Sequence, residues 1–457
     1  MENIKKALNE YAWVRWAILI LVSFVMATNY YFYDALSPMK QILGEKLGFS
    51  SGDFGFFISA YSFPNVFLLM AVIGGIIADK LGIRITGTGF VSFMAIGAFL
   101  TAYGASDSFN NGGLGYNFMN SFFTSKSPAL KMMSLGYFIF GLGAETSIVV
   151  ITKIVVKWFK GKELATALGV NLAIARLGAA LSLNISPLLI EPNWTKPIWF
   201  GFSLLVIGLI GFLIYLISDV KLDRQIKINV EEEEPFRISD ILKLLRNRSF
   251  IFITLLCVTF YSAVFPFIKF APDLLQNKFG FELTKAANIT SMVYYGTIIF
   301  TPLFGLFTDL RGKSATIMIY GSMLLILVHA TLSLTTINAI IPMFLLGIAF
   351  SLIPAAMWPA VAKIVEESRL GTAYGLMFSV QNLGLWAFPI LIGVVLDRSN
   401  PGVTAETVSQ GLSKYDYTNP ILMLAGLGFL GLIFAFLLKR EDRTSGFGLE
   451  LPNKQPE

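Results

Sequence analysis

Gly75-Ile-Ile-Ala-Asp79-Lys80-Leu-Gly82-Ile-Arg84 returns about half a chain later as Gly305-Leu-Phe-Thr-Asp309-Leu-Arg311-Gly312-Lys313. The Gly, Asp, Gly spacing is the same in both copies, and basic residues follow each. Both copies sit where a long apolar run gives way to a short charged loop. A duplicated loop between apolar helices points to a membrane protein made of two homologous halves, an organisation common among transporters.

Composition agrees. Of 457 residues 55% are hydrophobic and only 14% charged, with a mean hydropathy of +0.68. A soluble chain carries about a quarter charged residues. Apolar runs of ~20 residues recur, each long enough to cross a bilayer as a helix, and the lipid bilayer is therefore the first partner. The runs are continuous rather than alternating, which argues against a β-barrel. The net charge of +6 comes from bases scattered in short loops. They read as a topology signal rather than a nucleic-acid surface. Cys257 is the one cysteine, so an intramolecular disulfide or a cysteine-based metal site is excluded. His329, the one histidine, sits in an apolar run and reads as a packing residue. No cofactor is expected.

Twelve candidate spans fall at about 16–37, 53–78, 84–104, 130–157, 162–190, 197–218, 249–276, 286–308, 314–334, 337–363, 370–396 and 417–438. The predicted fold is all-α and membrane-integral: about twelve transmembrane helices in two pseudo-symmetric six-helix bundles. The expected domains are a first bundle over 1–220, a linker with a surface helix over 221–248, a second bundle over 249–440 and a tail over 441–457. In the linker an acidic run at 231–234 reads as a solvated tether. Ile238-Ser-Asp-Ile-Leu-Lys-Leu-Leu-Arg246 reads as a helix lying on the membrane surface. Residues 1–15 lead into an uncleaved first span. Lys5, Lys6, Lys80, Arg84, Lys157, Lys160, Lys162, Arg311, Lys313, Arg369, Lys439 and Arg440 all fall on one side, which predicts that both termini are cytoplasmic. The tails hold no lysosomal sorting string, so a bacterial plasma membrane and a monomer are expected.

Within the duplicated loop, Gly75 and Gly305 are expected to permit close helix approach. Asp79 and Asp309 are expected to face a helix N-terminus, with Arg84 and Lys313 completing a gating cluster. This loop resembles that of the major facilitator superfamily, Gly-x-x-x-Asp-(Arg/Lys)-x-Gly-(Arg/Lys)-(Arg/Lys). It departs at Ile83 in the first copy and at Leu310 and Ser314 in the second. Further strings resemble one branch of that superfamily, the one containing the lysosomal dipeptide transporter of animals. They are Tyr30-Tyr-Phe-Tyr33-Asp34, Tyr61-Ser-Phe-Pro64-Asn65-Val, Gly141-Leu-Gly-Ala-Glu145, Trp158-Phe-Lys-Gly-Lys-Glu163-Leu, Ala175-Arg176-Leu-Gly178, Val264-Phe-Pro266-Phe, Lys278-Phe-Gly-Phe281 and Gly371-Thr-Ala-Tyr-Gly375. They run in order from the first span to the eleventh.

Two charges stand inside spans, where each costs roughly 2.5–3.5 kcal/mol and usually marks function. Counted back from the loop at 160–162 at about 1.5 Å per residue, Glu145 and Arg176 lie about 22 and 21 Å deep. Arg176 offers a fixed fork of donors suited to a carboxylate, and Glu145 an acceptor for an ammonium. Together they would hold the two ends of a dipeptide, and the resemblance implies the same roles. An interhelical ion pair that only neutralises both charges is the competing reading.

The remaining candidates for substrate contact are Tyr30 and Tyr33 on the polar end of the first span, Lys269 in a proline-interrupted span, Trp358, Gln381 and Asn382. Asp34 either carries a proton or reaches the interface. Lys153 snorkels. A Walker loop, a nucleophile elbow and an HExxH string are all missing from the sequence, so an enzyme is not expected and neither is direct ATP drive. The first span also lacks the Glu-x-x-Glu-Arg string of proton-coupled peptide transporters. The expected function is therefore facilitated transport of dipeptides by alternating access. A small organic-anion transporter and a non-transporting membrane sensor or scaffold are the alternatives.

Overall fold

The computed structural model describes residues 7–225 and 238–452. The acidic run at 231–234, Lys5 and Lys6 lie outside the described residues. The helices are α1 (Ala12–Ala35), α2 (Lys40–Leu47), α3 (Ser51–Ser59), α4 (Phe63–Phe67), α5 (Met70–Ala105), α6 (Asp107–Asn110), α7 (Tyr116–Asn120), α8 (Pro128–Phe159) and α9 (Leu164–Ile185). They continue as α10 (Lys196–Gln225), α11 (Ile238–Leu244), α12 (Arg248–Phe279), α13 (Leu283–Arg311), α14 (Ser314–Leu334), α15 (Ile340–Ile364), α16 (Leu370–Ser399), α17 (Ala405–Ser409) and α18 (Thr418–Ser445). Among the described residues, eleven stretches are long and apolar enough to span a bilayer.

The twelfth crossing is hidden in α5. Gly82 there has φ 79° and ψ 158°, a conformation open to glycine and strained for other residues. On one side of it Gly74 packs against Thr146, and on the other Phe90 packs against Gly143. Both contacts fall on one turn of α8, so the chain reverses at Gly82. The limb before Gly82 continues the crossing begun by α3 and α4. That crossing is broken twice, around residues 60–62 and again at Leu69, which takes φ 51°. Helices broken in this way commonly line a transport site.

The chain enters α1 on the same face as the motif loops. Lys162 reaches Glu10 at 2.9 Å, and Arg15 binds Glu163 at 2.9 Å. The hydrogen bond from Arg15 holds the Glu163 carboxyl below the usual carboxylate range. The chain leaves α18 on that face too, because residues 446–451 fold back onto the second motif loop. Ser314 N–H donates to the Leu449 carbonyl at 2.9 Å, and Lys313 N–H to that of Glu450 at 3.1 Å. Leu449 is fully buried. The stretch expected to be a free tail is thus partly helix and partly a docked strap.

On the opposite, far face the two halves are joined by polar contacts. Ser51 and Gly52 donate their N–H groups to Asp397 at 3.0 and 2.7 Å. Lys40 pairs with Asp273 at 2.7 Å and Lys269 with Asp34 at 2.7 Å. Asn184 donates to Asn288 at 2.7 Å.

Candidate functional site

Two close approaches build the centre. A side chain at Gly178 would strike the backbone of Ala27, so α9 lies directly on α1. A side chain at Gly141 would strike the backbone of Tyr61, which draws α8 onto the break between α3 and α4. Glu145 of α8 consequently faces Tyr61 and Asn65. Asn65 is fully buried and turns its amide towards Glu145.

Arg176 of α9 points across the junction between halves. Its guanidinium lies 5.7 Å from the ring centroid of Tyr30 in the first half. It also lies 5.8, 6.0 and 4.8 Å from those of Phe265, Tyr294 and Phe350 in the second. Rings at this distance steady a cation in a dry site without consuming its N–H donors. Among the described residues, Nη1 of Arg176 is buried and has no hydrogen-bond partner, and Glu145 and Arg176 make no ion pair with each other. Both charges lie close enough to act on the Tyr30 hydroxyl. A cavity of about 530 Å³ runs from Arg176 along Tyr261, Phe350 and Trp358 to Gly305, towards the motif face.

The other sequence candidates divide. Tyr30 belongs to the centre, and Trp358 lines the cavity with its indole N–H on the Tyr261 hydroxyl at 3.1 Å. The Tyr33 ring packs against Tyr61 at a tilt of 58° with centroids 4.6 Å apart, and the Lys269 ammonium lies 3.3 Å above it. Lys269 does not serve as an open substrate contact. It is 1% exposed and donates to Asp34 and to the Tyr33 carbonyl. Asp34 does not reach the interface either, because Lys269 and the Tyr294 hydroxyl, at 2.7 Å each, hold it inside. Gln381 takes the Cys257 thiol at 3.5 Å, and Asn382 donates to the Phe378 carbonyl at 3.0 Å. Both are buried in the packing of α16.

The gating residues also need correction. A Cβ at Gly75 would meet only Val149 at 4.0 Å, and one at Gly305 would meet nothing within 4 Å. Neither glycine marks a close helix approach. The indispensable glycines of the motif are the last ones, Gly82 and Gly312, with φ of 79° and 70°. Asp79, which is largely exposed, pairs with Lys153. Asp309 interacts with Lys363 of α15. Lys313 takes φ 64°, and its backbone holds the strap. Arg84 enters a cluster that sequence reasoning missed. Its Nε donates to Asp219 at 2.6 Å, and it also pairs with Asp223. Lys157 reaches both carboxylates at 2.7 Å, and the Tyr215 hydroxyl donates to Asp219 at 2.7 Å. Asp219 lies near the expected end of the first bundle; α10 runs past it to Gln225, and it is fully buried.

The Major Facilitator Superfamily profile matches residues 19–287 and 269–454. The chain belongs to this superfamily. It is 33% identical to the lysosomal dipeptide transporter MFSD1 of Mus musculus over 395 residues, covering 84% of this chain and 80% of that one. Identity to the Homo sapiens protein of the same name is 32% over 398 residues, with the same coverage. It is 22% identical to the probable galactarate/D-glucarate transporter GarP of Escherichia coli K12, over 84% of this chain and 88% of that one. Among solved structures, the nucleoside transporter NupG superposes with a TM-score of 0.69 at 16% identity, covering 93% of this chain and 98% of that one. A bacterial homolog of the human lysosomal transporter Spinster, inward-facing and occupied, gives 0.66 at 15% identity over 93% and 97%. These superpositions bear on the fold alone. The superfamily and the named relatives are transporters rather than enzymes, and the major facilitator chain described here is a multi-pass membrane protein.

Proposed function

We propose that this major facilitator protein moves dipeptides across its membrane by alternating access, as a uniporter. One observation carries the reading: Glu145 and Arg176, at matching depth and each only partly exposed, are not spent on each other. An unpaired charge held inside a membrane is costly. Retaining two of opposite sign beside Tyr30 suits a ligand that brings both complements. The amino end would meet Glu145 with Tyr61 and Asn65, the carboxylate would meet Arg176, and the side chains would lie in the cavity that Trp358 lines. The resemblance to relatives named as dipeptide transporters supports the same solute. The polar contacts on the far face and the cavity reaching the motif face fit a conformation open towards the motif face. The basic loops put that face in the cytoplasm.

The test is thermal stabilisation of purified protein by a dipeptide panel. Wild type gains stability, whereas Glu145→Gln and Arg176→Ala each bind at least about 30-fold more weakly, as expected when one partner of a buried charge pair is removed. Retained stabilisation in both variants would sink the clamp. A second reading, a carrier of small organic anions, draws on Arg176 lining the cavity while Glu145 does not. Uptake of a peptide with a blocked amine separates the two: unchanged uptake favours the anion carrier.

A further inference from the structure

On the far face, well away from Arg176, Lys40 is inserted into a recess of the other half. Its ammonium binds Asp273 Oδ2 at 2.7 Å and lies 4.1 Å from the ring centroid of Tyr415 and 5.9 Å from that of Tyr417. The Tyr417 hydroxyl donates to the same Asp273 oxygen. The Asn277 side-chain oxygen accepts the N–H of Tyr415 at 2.9 Å, fixing the ring-bearing segment to α12. Lys40 and Asp273 are 5% and 2% exposed. A carboxylate flanked by two aromatic faces is the chemistry that recognises a primary ammonium, through charge-assisted hydrogen bonding and cation–π attraction together.

Two further observations show that the recess is more than the Lys40 bridge. Among the described residues, Asp273 Oδ1, buried, has no hydrogen-bond partner, and neither does Gln41 Oε1. Both residues line a cavity of about 290 Å³ that also takes in Glu45, Gln276 and Asn277. Unsatisfied buried acceptors call for a donor. The ring faces, Asp273, Gln276 and Asn277 belong to the second half, whereas Lys40 and its neighbours Gln41 and Glu45 come from the first. When the halves part on this face, Lys40 leaves with its own half and the recess stays behind, open to the outside.

We propose that Asp273, Tyr415 and Tyr417 form a socket for a primary ammonium group, occupied in this conformation by the protein's own Lys40 and offered to an external ligand when the far face opens. The ligand class is a primary ammonium compound. Resting on the dipeptide reading above, its natural occupant is the amino end of an arriving peptide. Lys40 and the peptide then compete for one carboxylate, so a peptide in the socket delays closure of the far face until it has moved inward.

The first test does not depend on peptides. In the full-length protein, Lys40→Ala removes the atoms of a propylammonium ion. n-Propylammonium chloride, against sodium chloride at equal ionic strength, is expected to raise the Tm of this variant saturably by about 2 °C. No such rise is expected in wild type, whose socket is filled, or in Lys40→Ala/Asp273→Asn. An equal rise with sodium chloride, in wild type or in the double variant would overturn the socket. If Lys40→Ala is not recovered folded, Lys40→Met, which keeps the aliphatic stem, is read with ammonium chloride in the same way. The second test uses Lys40→Ala/Glu145→Gln, in which the central amine site is also disabled. A free dipeptide stabilises it and its N-acetylated form does not. Equal stabilisation by the two forms, or by neither, removes the peptide amino end as the ligand.

Discussion

The two copies of the motif loop are alike in sequence and unlike in how they are held. In the first, Arg84 and Lys157 grip Asp219 and Asp223 at the end of α10, with Tyr215 completing the shell of a fully buried carboxylate. In the second, the acid comes from beyond the last membrane helix. Glu450 accepts the N–H and hydroxyl of Thr316 at 2.9 and 2.7 Å, capping the start of α14, and Lys439 stands 3.6 Å away. The first copy is therefore held by a buried charge network within its bundle and the second by a short docked strap. Equivalent loops thus need not open with equal ease. A network around a desolvated carboxylate is costly to break, whereas a strap held by one buried leucine, the Thr316 cap and hydrogen bonds from Lys313, Ser314 and Lys363 to its backbone is cheaper to release.

The largest effect expected from breaking this asymmetry is at Asp219. Its replacement by alanine leaves Arg84, Lys157 and Tyr215 without their common acceptor and should cost about 3 kcal/mol, read from unfolding in detergent. Leu449→Ala, which loosens the strap alone, should cost about 2 kcal/mol. An Asp219 effect no larger than that of Leu449 would show the two copies to be held equally. The smallest effects separate the glycines inside the motif. Gly82→Ala should lose about 1 kcal/mol because alanine resists positive φ, and Gly312→Ala more than that, because its Cβ would also lie 2.3 Å from the Leu451 carbonyl carbon and push the strap away. Gly75→Ala and Gly305→Ala should be neutral or gain about 0.5 kcal/mol as ordinary helix positions. Loss at all four positions would restore a packing role to the leading glycines.

Much of the architecture could be read from one dimension. Continuous apolar runs and a repeated loop carry their meaning locally, since hydrocarbon demands helices of a given length. The depths of Glu145 and Arg176 were legible for the same reason: rise per residue is a constant. Whether the two were paired was not, because side-chain partners depend on which faces neighbouring helices present. Lys269 illustrates the limit. Its position beside two prolines suggested a cavity, and only packing against Tyr33 and Asp34 shows that it is engaged. The burial of Asp219 was not legible for a related reason, since a single carboxylate at the edge of a polar stretch carries no mark of it. Asn65 lay within a string already noted, yet nothing in that string said that the helix breaks there and turns the amide towards Glu145.

By itself, the sequence determined the membrane as solvent, the two-half plan, the positions of the crossings and the two deep charges, because those follow from hydrophobicity and helical rise along the chain. Tertiary structure alone decided which charges remain unpaired, which acid holds each copy of the loop and where a lysine of one half enters an aromatic recess of the other. Those outcomes rest on contacts between helices far apart in sequence, where a difference of a few ångströms separates a partner from a neighbour.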